Sequence, residues 1–159
     1  MKKNLDDEKY LKLLDFIKKN RIKKINIIGR PGSGKTSLSL KLKKSLITET
    51  LNIDSLFEKY NNFSEINYSI VECLKKNIII DGTYTSLLSF ERVELTDLFI
   101  YMESNIFNSM KNVIRREILK QNIFKNEKIS IRLVKQILLF NNKKKNIEKL
   151  IDKNKIYFY

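Results

Sequence analysis

The sequence predicts an α/β fold, a parallel sheet of about five strands with helices between successive strands. Three observations carry that expectation. Ile78-Ile79-Ile80 and Leu98-Phe99-Ile100-Tyr101-Met102 are short, wholly apolar runs of the kind that form strands buried on both faces. Between such runs lie segments whose apolar residues recur every three or four positions, as on one face of a helix. The chain has 159 residues, enough for one domain with a buried core and too few for a large second one, so 1–159 is expected to be a single domain.

In chain order, residues 1–21 are expected to hold an N-terminal helix, with Tyr10, Leu13, Leu14 and Ile17 on its apolar side. Ile25-Asn26-Ile27-Ile28 reads as the first buried strand, and Ser37 to Leu46 as an amphipathic helix. Leu46 to Leu51 carries β-branched Ile47, Thr48 and Thr50 and reads as a second strand, followed by a short helical piece near Asp54. A helix is expected over about 64–76, then the strands at 78–80 and 98–102. The next helix, about 105–120, is expected to bury Ile106, Phe107, Met110, Val113, Ile114 and Ile118, with Arg115 flanking that stripe and Arg116 pointing away from it. Further helices over about 130–140 and 146–152 lead to a terminal strand, 155–159.

Between the first strand and its helix stands Gly29-Arg30-Pro31-Gly32-Ser33-Gly34-Lys35-Thr36. This fits the phosphate-binding spacing G-x-x-x-x-G-K-S/T, and it arrives with the strand and helix that such a loop requires. Its glycines let main-chain N–H groups wrap a phosphate, and the helix start beside Lys35 and Ser37 adds a positive dipole end. Lys35 suits β- and γ-phosphates, and the Thr36 hydroxyl suits Mg²⁺. ATP or GTP is the ligand first suggested.

Composition narrows the chemistry. With no histidine, His-based proton transfer and His-ligated zinc are excluded, so any general base is a carboxylate. The one cysteine, Cys73, cannot form an intramolecular disulfide and reads as a packed, inert thiol. No run of 18 apolar residues and no signal-peptide pattern is present, which leads to the expectation of a cytoplasmic protein without membrane contact, a monomer or homodimer. The net charge of +14 allows weak nucleic-acid binding, but lysines outnumber arginines 26 to 6 and are spread along the chain, as genome composition alone would produce. Against that bias the few arginines, Arg30, Arg92, Arg115, Arg116 and Arg132, mark places where a planar phosphate-binding fork is a reasonable expectation.

Two carboxylates follow strands. Asp81, after Ile78-Ile79-Ile80, is placed to hold the Mg²⁺ shell, or simply to form a turn with Gly82. Asp54, beyond the second strand, reads either as a base near the phosphoryl acceptor or as the N-cap of a helix starting at Ser55.

Taken with the loop, Asp54-Ser55-Leu56-Phe57, Ile79 to Thr85 and Arg92 ahead of Thr96-Asp97-Leu98-Phe99-Ile100 make the sequence resemble the adenylate-kinase-related DNA topology modulation protein family. The resemblance spans about 22–150, including the Arg115-Arg116 pair and the aromatic and basic segment 140–145. The chain differs from that family in having no Trp, in Thr83 for an Asn, and in Ser104 for a Pro. The resemblance implies a three-layer P-loop NTPase fold of the nucleoside-monophosphate-kinase kind, strand order 2-3-1-4-5, with a helical lid-like region over about 105–142. It also implies ATP binding by Gly29 to Thr36, Asp54 and Arg92 facing the acceptor, and Arg115 and Arg116 as lid arginines. The expected activity is Mg²⁺-dependent transfer of the ATP γ-phosphate to a small nucleotide or nucleoside. The alternatives are a nucleotide-dependent nucleic-acid-binding or regulatory protein and a polynucleotide 5′-kinase.

Overall fold

The computed structural model describes residues 5–83, 88–121, 137–140, 145, 147, 149, 151 and 155–159. Arg132, Tyr84, Thr85, Lys143, Lys144 and most of the helix expected over 130–140 lie outside the described residues. Among those described, the elements run α1 (Leu5–Lys19), β1 (Lys24–Gly29), α2 (Lys35–Leu46), β2 (Glu49–Asn52), α3 (Ile53–Lys59), α4 (Phe63–Cys73), β3 (Ile78–Asp81), α5 (Phe90–Leu95), β4 (Leu98–Met102), α6 (Ile106–Gln121) and β5 (Ile156–Phe158). The five strands form one parallel sheet in the order β2-β3-β1-β4-β5, as expected.

Alternation along the central strands sorts side chains between two faces. Ile25, Ile27, Ile79, Leu98, Ile100 and Met102 meet Leu13 and Ile17 of α1 and Leu38 and Leu42 of α2. On the opposite face, Ile78 and Ile80 pack on Ile53, Leu56, Ile66 and Ile70 of α3 and α4, while Ile28, Phe99 and Tyr101 pack on Phe140, Ile147 and Ile151. The N-terminal helix is therefore part of the core. Its Tyr10 hydroxyl donates to Ser45 Oγ at 2.6 Å, and its ring lies 4.1 Å under the Lys41 ammonium.

Polar groups set the ends of the sheet. One carboxylate oxygen of Asp97 accepts from the amides of Lys23 and Lys24, both at 2.9 Å, and aligns the start of β1 with β4. Lys155 reaches the carbonyls of Val93, Glu94 and Thr96 at the end of α5, where orphan carbonyls favour a cation.

Two expectations are corrected here. The second strand starts at Glu49, not Leu46, because α2 continues to Leu46 and Ile47 closes it in the left-handed conformation (φ 51), with a side chain 94% exposed. The apolar stripe expected on α6 is fully buried only at Val113 among the residues whose side chains are described, and Ile118 lies outside them. Val113 and Ser109 are buried, while Phe107 is 86% exposed and Ile106 and Ile114 are also exposed. A small residue at Ser109 lets the helix approach a loop closely, and that loop is the phosphate-type loop. The helix α5, marked by its Ser89 N-cap, was not anticipated.

Candidate functional site

The loop following β1 is tightly held at both edges. A Cβ on Gly29 would lie 2.8 Å from Met102 of β4, and one on Gly32 (φ +79) would lie 2.4 Å from the Ser109 carbonyl of α6. Gly34 caps α2 without a side chain, so the first-turn amides of α2 have no side-chain cap. Inside the loop the Ser33 amide and the Lys35 ammonium both donate to a single oxygen, the Arg30 carbonyl, each at 3.1 Å. The Ser33 bond closes the Arg30–Ser33 turn, and the Lys35 bond brings the ammonium into the loop beside the N-terminus of α2, where an anion is favoured.

Across the sheet, β3 ends at Asp81. The Thr36 hydroxyl donates to its Oδ2 at 2.6 Å, joining the first turn of α2 to the end of the neighbouring strand. A parallel sheet in the order β2-β3-β1-β4-β5 with this loop after its central strand matches a P-loop NTPase-type α/β fold. Thr36 and Asp81 suit Mg²⁺, which is held by one or two carboxylate or hydroxyl oxygens and completed by phosphate and water. Among the described residues there is no cluster of three His, Cys, Asp or Glu side chains, so a cage made by the protein alone is not found there.

Electrostatics gather four of the predicted residues. Burial pushes the Lys35 ammonium below its usual pKa, Asp81 and Asp54 support its charge, and Arg116 opposes it. Burial pushes the Asp81 carboxyl up, against the Thr36 hydrogen bond and Lys35, while Asp54 pushes it further up. Lys35, Asp54, Asp81 and Arg116 thus share one field. Arg115 is exposed on the same helix, and Ser37 is exposed in the first turn of α2.

Asp54 does not cap α3. The cap is Asn52, whose side chain accepts from the Asp54 amide at 2.7 Å, so the carboxylate stands within the first turn. The register pairs Asn52 with Asp81. Gly82 (φ +148) then allows α3 to sit against it, since a Cβ there would meet Ile53 Cβ at 2.8 Å. Asp81 at the end of β3 and Asp54 in the first turn of α3 are therefore positioned relative to each other by the β2–β3 pairing and the contact of Gly82 with Ile53.

Two arginines depart from expectation. Arg92, expected to face the acceptor, is 0% exposed, and its Nη2 donates to Asn26 Oδ1 of β1 at 2.9 Å. Burial brings its pKa down to about 10. Arg30 is buried with its guanidinium 5.7 Å over the Phe140 ring, which packs on Tyr101, so its side chain anchors the loop to the core. Its carbonyl, not a guanidinium fork, faces the loop interior. Cys73 is half-buried, and burial raises its thiol pKa, in keeping with an unreactive thiol.

Sequence reasoning missed three site residues. Thr83 Oγ1 accepts from the Gly29 amide and donates to the Gly29 carbonyl. Asn112 Nδ2 donates to the Gly32 carbonyl at 2.9 Å. Asn52 was legible in principle, because an Asn two residues before an acidic first turn is a common cap.

The chain is similar to several solved kinases. Deoxyadenosine kinase from M. mycoides with bound dATP shares 18% identity at a TM-score of 0.46, covering 86% of this chain and 89% of the kinase. The same enzyme with dCMP and dCDP gives 16% and 0.40, covering 77% and 98%. Shikimate kinase from Acinetobacter baumannii with shikimate gives 15% and 0.45, covering 78% and 95%. Neither a protein-family model nor a curated protein matches the chain.

Proposed function

We propose that the protein is a Mg²⁺-dependent phosphotransferase that moves the ATP γ-phosphoryl group to a small nucleotide or nucleoside. The observation carrying this reading is the Thr36–Asp81 hydrogen bond beside a loop whose Ser33 and Lys35 donors already converge on one oxygen. Mg²⁺, held by Thr36 and Asp81, would supply neutralisation of charge on the β- and γ-phosphates. The chain's own groups do the rest. Ser33 N–H and Lys35 exchange the Arg30 carbonyl for phosphate oxygens, and the α2 amides and Arg116 add positive potential where charge moves during transfer.

Of the two acceptor classes, the withdrawal of Arg92 into the core favours a hydroxyl over an anionic phosphate. Asp54, across from Lys35, then takes the hydroxyl proton as the acceptor oxygen bonds to the γ-phosphorus and the bridging oxygen leaves with ADP.

A panel of nucleoside triphosphates with Mg²⁺ tests the reading, first by thermal shift and then by phosphoryl transfer to nucleosides and nucleoside monophosphates. Stabilisation by ATP and labelling of a nucleoside are expected. A chain stabilised by no triphosphate contradicts the proposal.

A further inference from the structure

The helix α6 does more than continue the chain beyond β4. Three of its residues, Ser109, Asn112 and Val113, lie on one face and lean on Gly32 at the crest of the loop. The Ser109 carbonyl approaches so closely that only glycine fits beneath it. Gly32 stands at φ +79, a conformation glycine adopts without strain, and with no side chain of its own it leaves the orientation of its following peptide to outside contacts. That peptide matters because it carries both the Gly32 carbonyl and the Ser33 amide.

A trans peptide holds its C=O and N–H on opposite sides. The chain has no cis peptide bond among the described residues. With Asn112 Nδ2 holding the Gly32 carbonyl toward α6 at 2.9 Å, the Ser33 N–H is turned the other way. It points to the Arg30 carbonyl at 3.1 Å, where Lys35 also donates. Rotating the Gly32–Ser33 peptide would present a carbonyl oxygen to that position, where it would repel phosphate. One turn beyond Asn112 the same helix carries Arg116, which contributes to the field at Lys35.

We propose that Asn112 is a positioning residue for the triphosphate. It locks the Gly32–Ser33 peptide in the donor-inward orientation and couples the loop to the helix that carries Arg116. This rests on the nucleotide-binding reading above.

The test compares wild type, Asn112→Leu, Asn112→Asp and Asn112→Gln. Calorimetry measures binding of a non-hydrolysable ATP analogue with Mg²⁺, and each variant's thermal midpoint is recorded. Asn112 is exposed, so replacement leaves no cavity. Losing one hydrogen bond that orients a charged-ligand donor predicts about three- to tenfold weaker binding for Asn112→Leu, at an unchanged midpoint. Asn112→Asp binds more weakly still, because a carboxylate repels the Gly32 carbonyl, and Asn112→Gln, which keeps the amide donor, recovers part of the affinity. A wild-type affinity retained in Asn112→Leu and Asn112→Asp overturns the proposal and leaves the nucleotide reading intact. A lowered midpoint with unchanged affinity likewise overturns it, showing a role in folding alone. A wild-type chain that binds no triphosphate removes both readings.

Discussion

The Thr83 hydroxyl grips Gly29 from both sides of its backbone, accepting from the amide at 2.7 Å and donating to the carbonyl at 2.9 Å. The segment after β3 is thereby tied to the start of the phosphate loop, with Asp81 and Gly82 in between. Removing the hydroxyl leaves the partly buried Gly29 amide without that acceptor. Thr83→Val should destabilise the protein by about 1–3 kcal/mol in urea denaturation, while Thr83→Ser stays near wild type. Equal stability of Thr83→Val and wild type would show that this tie contributes nothing.

Asp81 predicts a conflict between stability and function. Burial raises its native pKa above the ordinary 3.8, so the ionised form is disfavoured in the folded chain relative to the unfolded one. Its contribution to stability is therefore fully present below the ordinary value and is lost as pH rises through the raised native value. Asp81→Asn, which does not ionise, should match wild type at acid pH and melt higher than wild type near neutrality, with Mg²⁺-dependent turnover lost. Thermal midpoints measured across pH 3 to 8 read this directly. A variant melting lower than wild type at neutral pH would mean that the Thr36 and Lys35 contacts outweigh burial.

Arg92 separates a structural role from a catalytic one. Because its guanidinium is buried on Asn26, Arg92→Ala should cost about 2 kcal/mol or more through a cavity and an amide oxygen left unsatisfied. KM for donor and acceptor should stay within about twofold, a change of less than 0.5 kcal/mol. A stable variant with a strongly raised acceptor KM would place Arg92 at the acceptor after all.

Much of the fold was legible because β1, β3 and β4 are buried on both faces and read as continuous apolar runs, and because a strand, glycine loop and helix occur together around Lys35. Thr36 and Asp81 were legible for the same reason, since each follows a recognisable strand or loop. What escaped depends on contacts distant in sequence. Arg92 meets an Asn 66 residues away, and nothing local in either segment marks that pair. The packed face of α6 was only partly legible because Ser109 is polar yet buried, letting one backbone approach another, while Asn112 reaches the Gly32 carbonyl from the exposed side of the helix. Ile47 favours strands by its branching, yet it closes α2 in a left-handed turn.

The central claim is that the Gly29–Thr36 loop holds a nucleoside triphosphate whose γ-phosphoryl group is transferred. Its most direct test is the transfer of label from γ-labelled ATP with Mg²⁺ to nucleoside and nucleoside-monophosphate acceptors, comparing wild type with Lys35→Ala after both are shown to be folded by circular dichroism. The account predicts a labelled acceptor with wild type and a loss of about 10²-fold or more with Lys35→Ala. Equal labelling by the two folded proteins would contradict it.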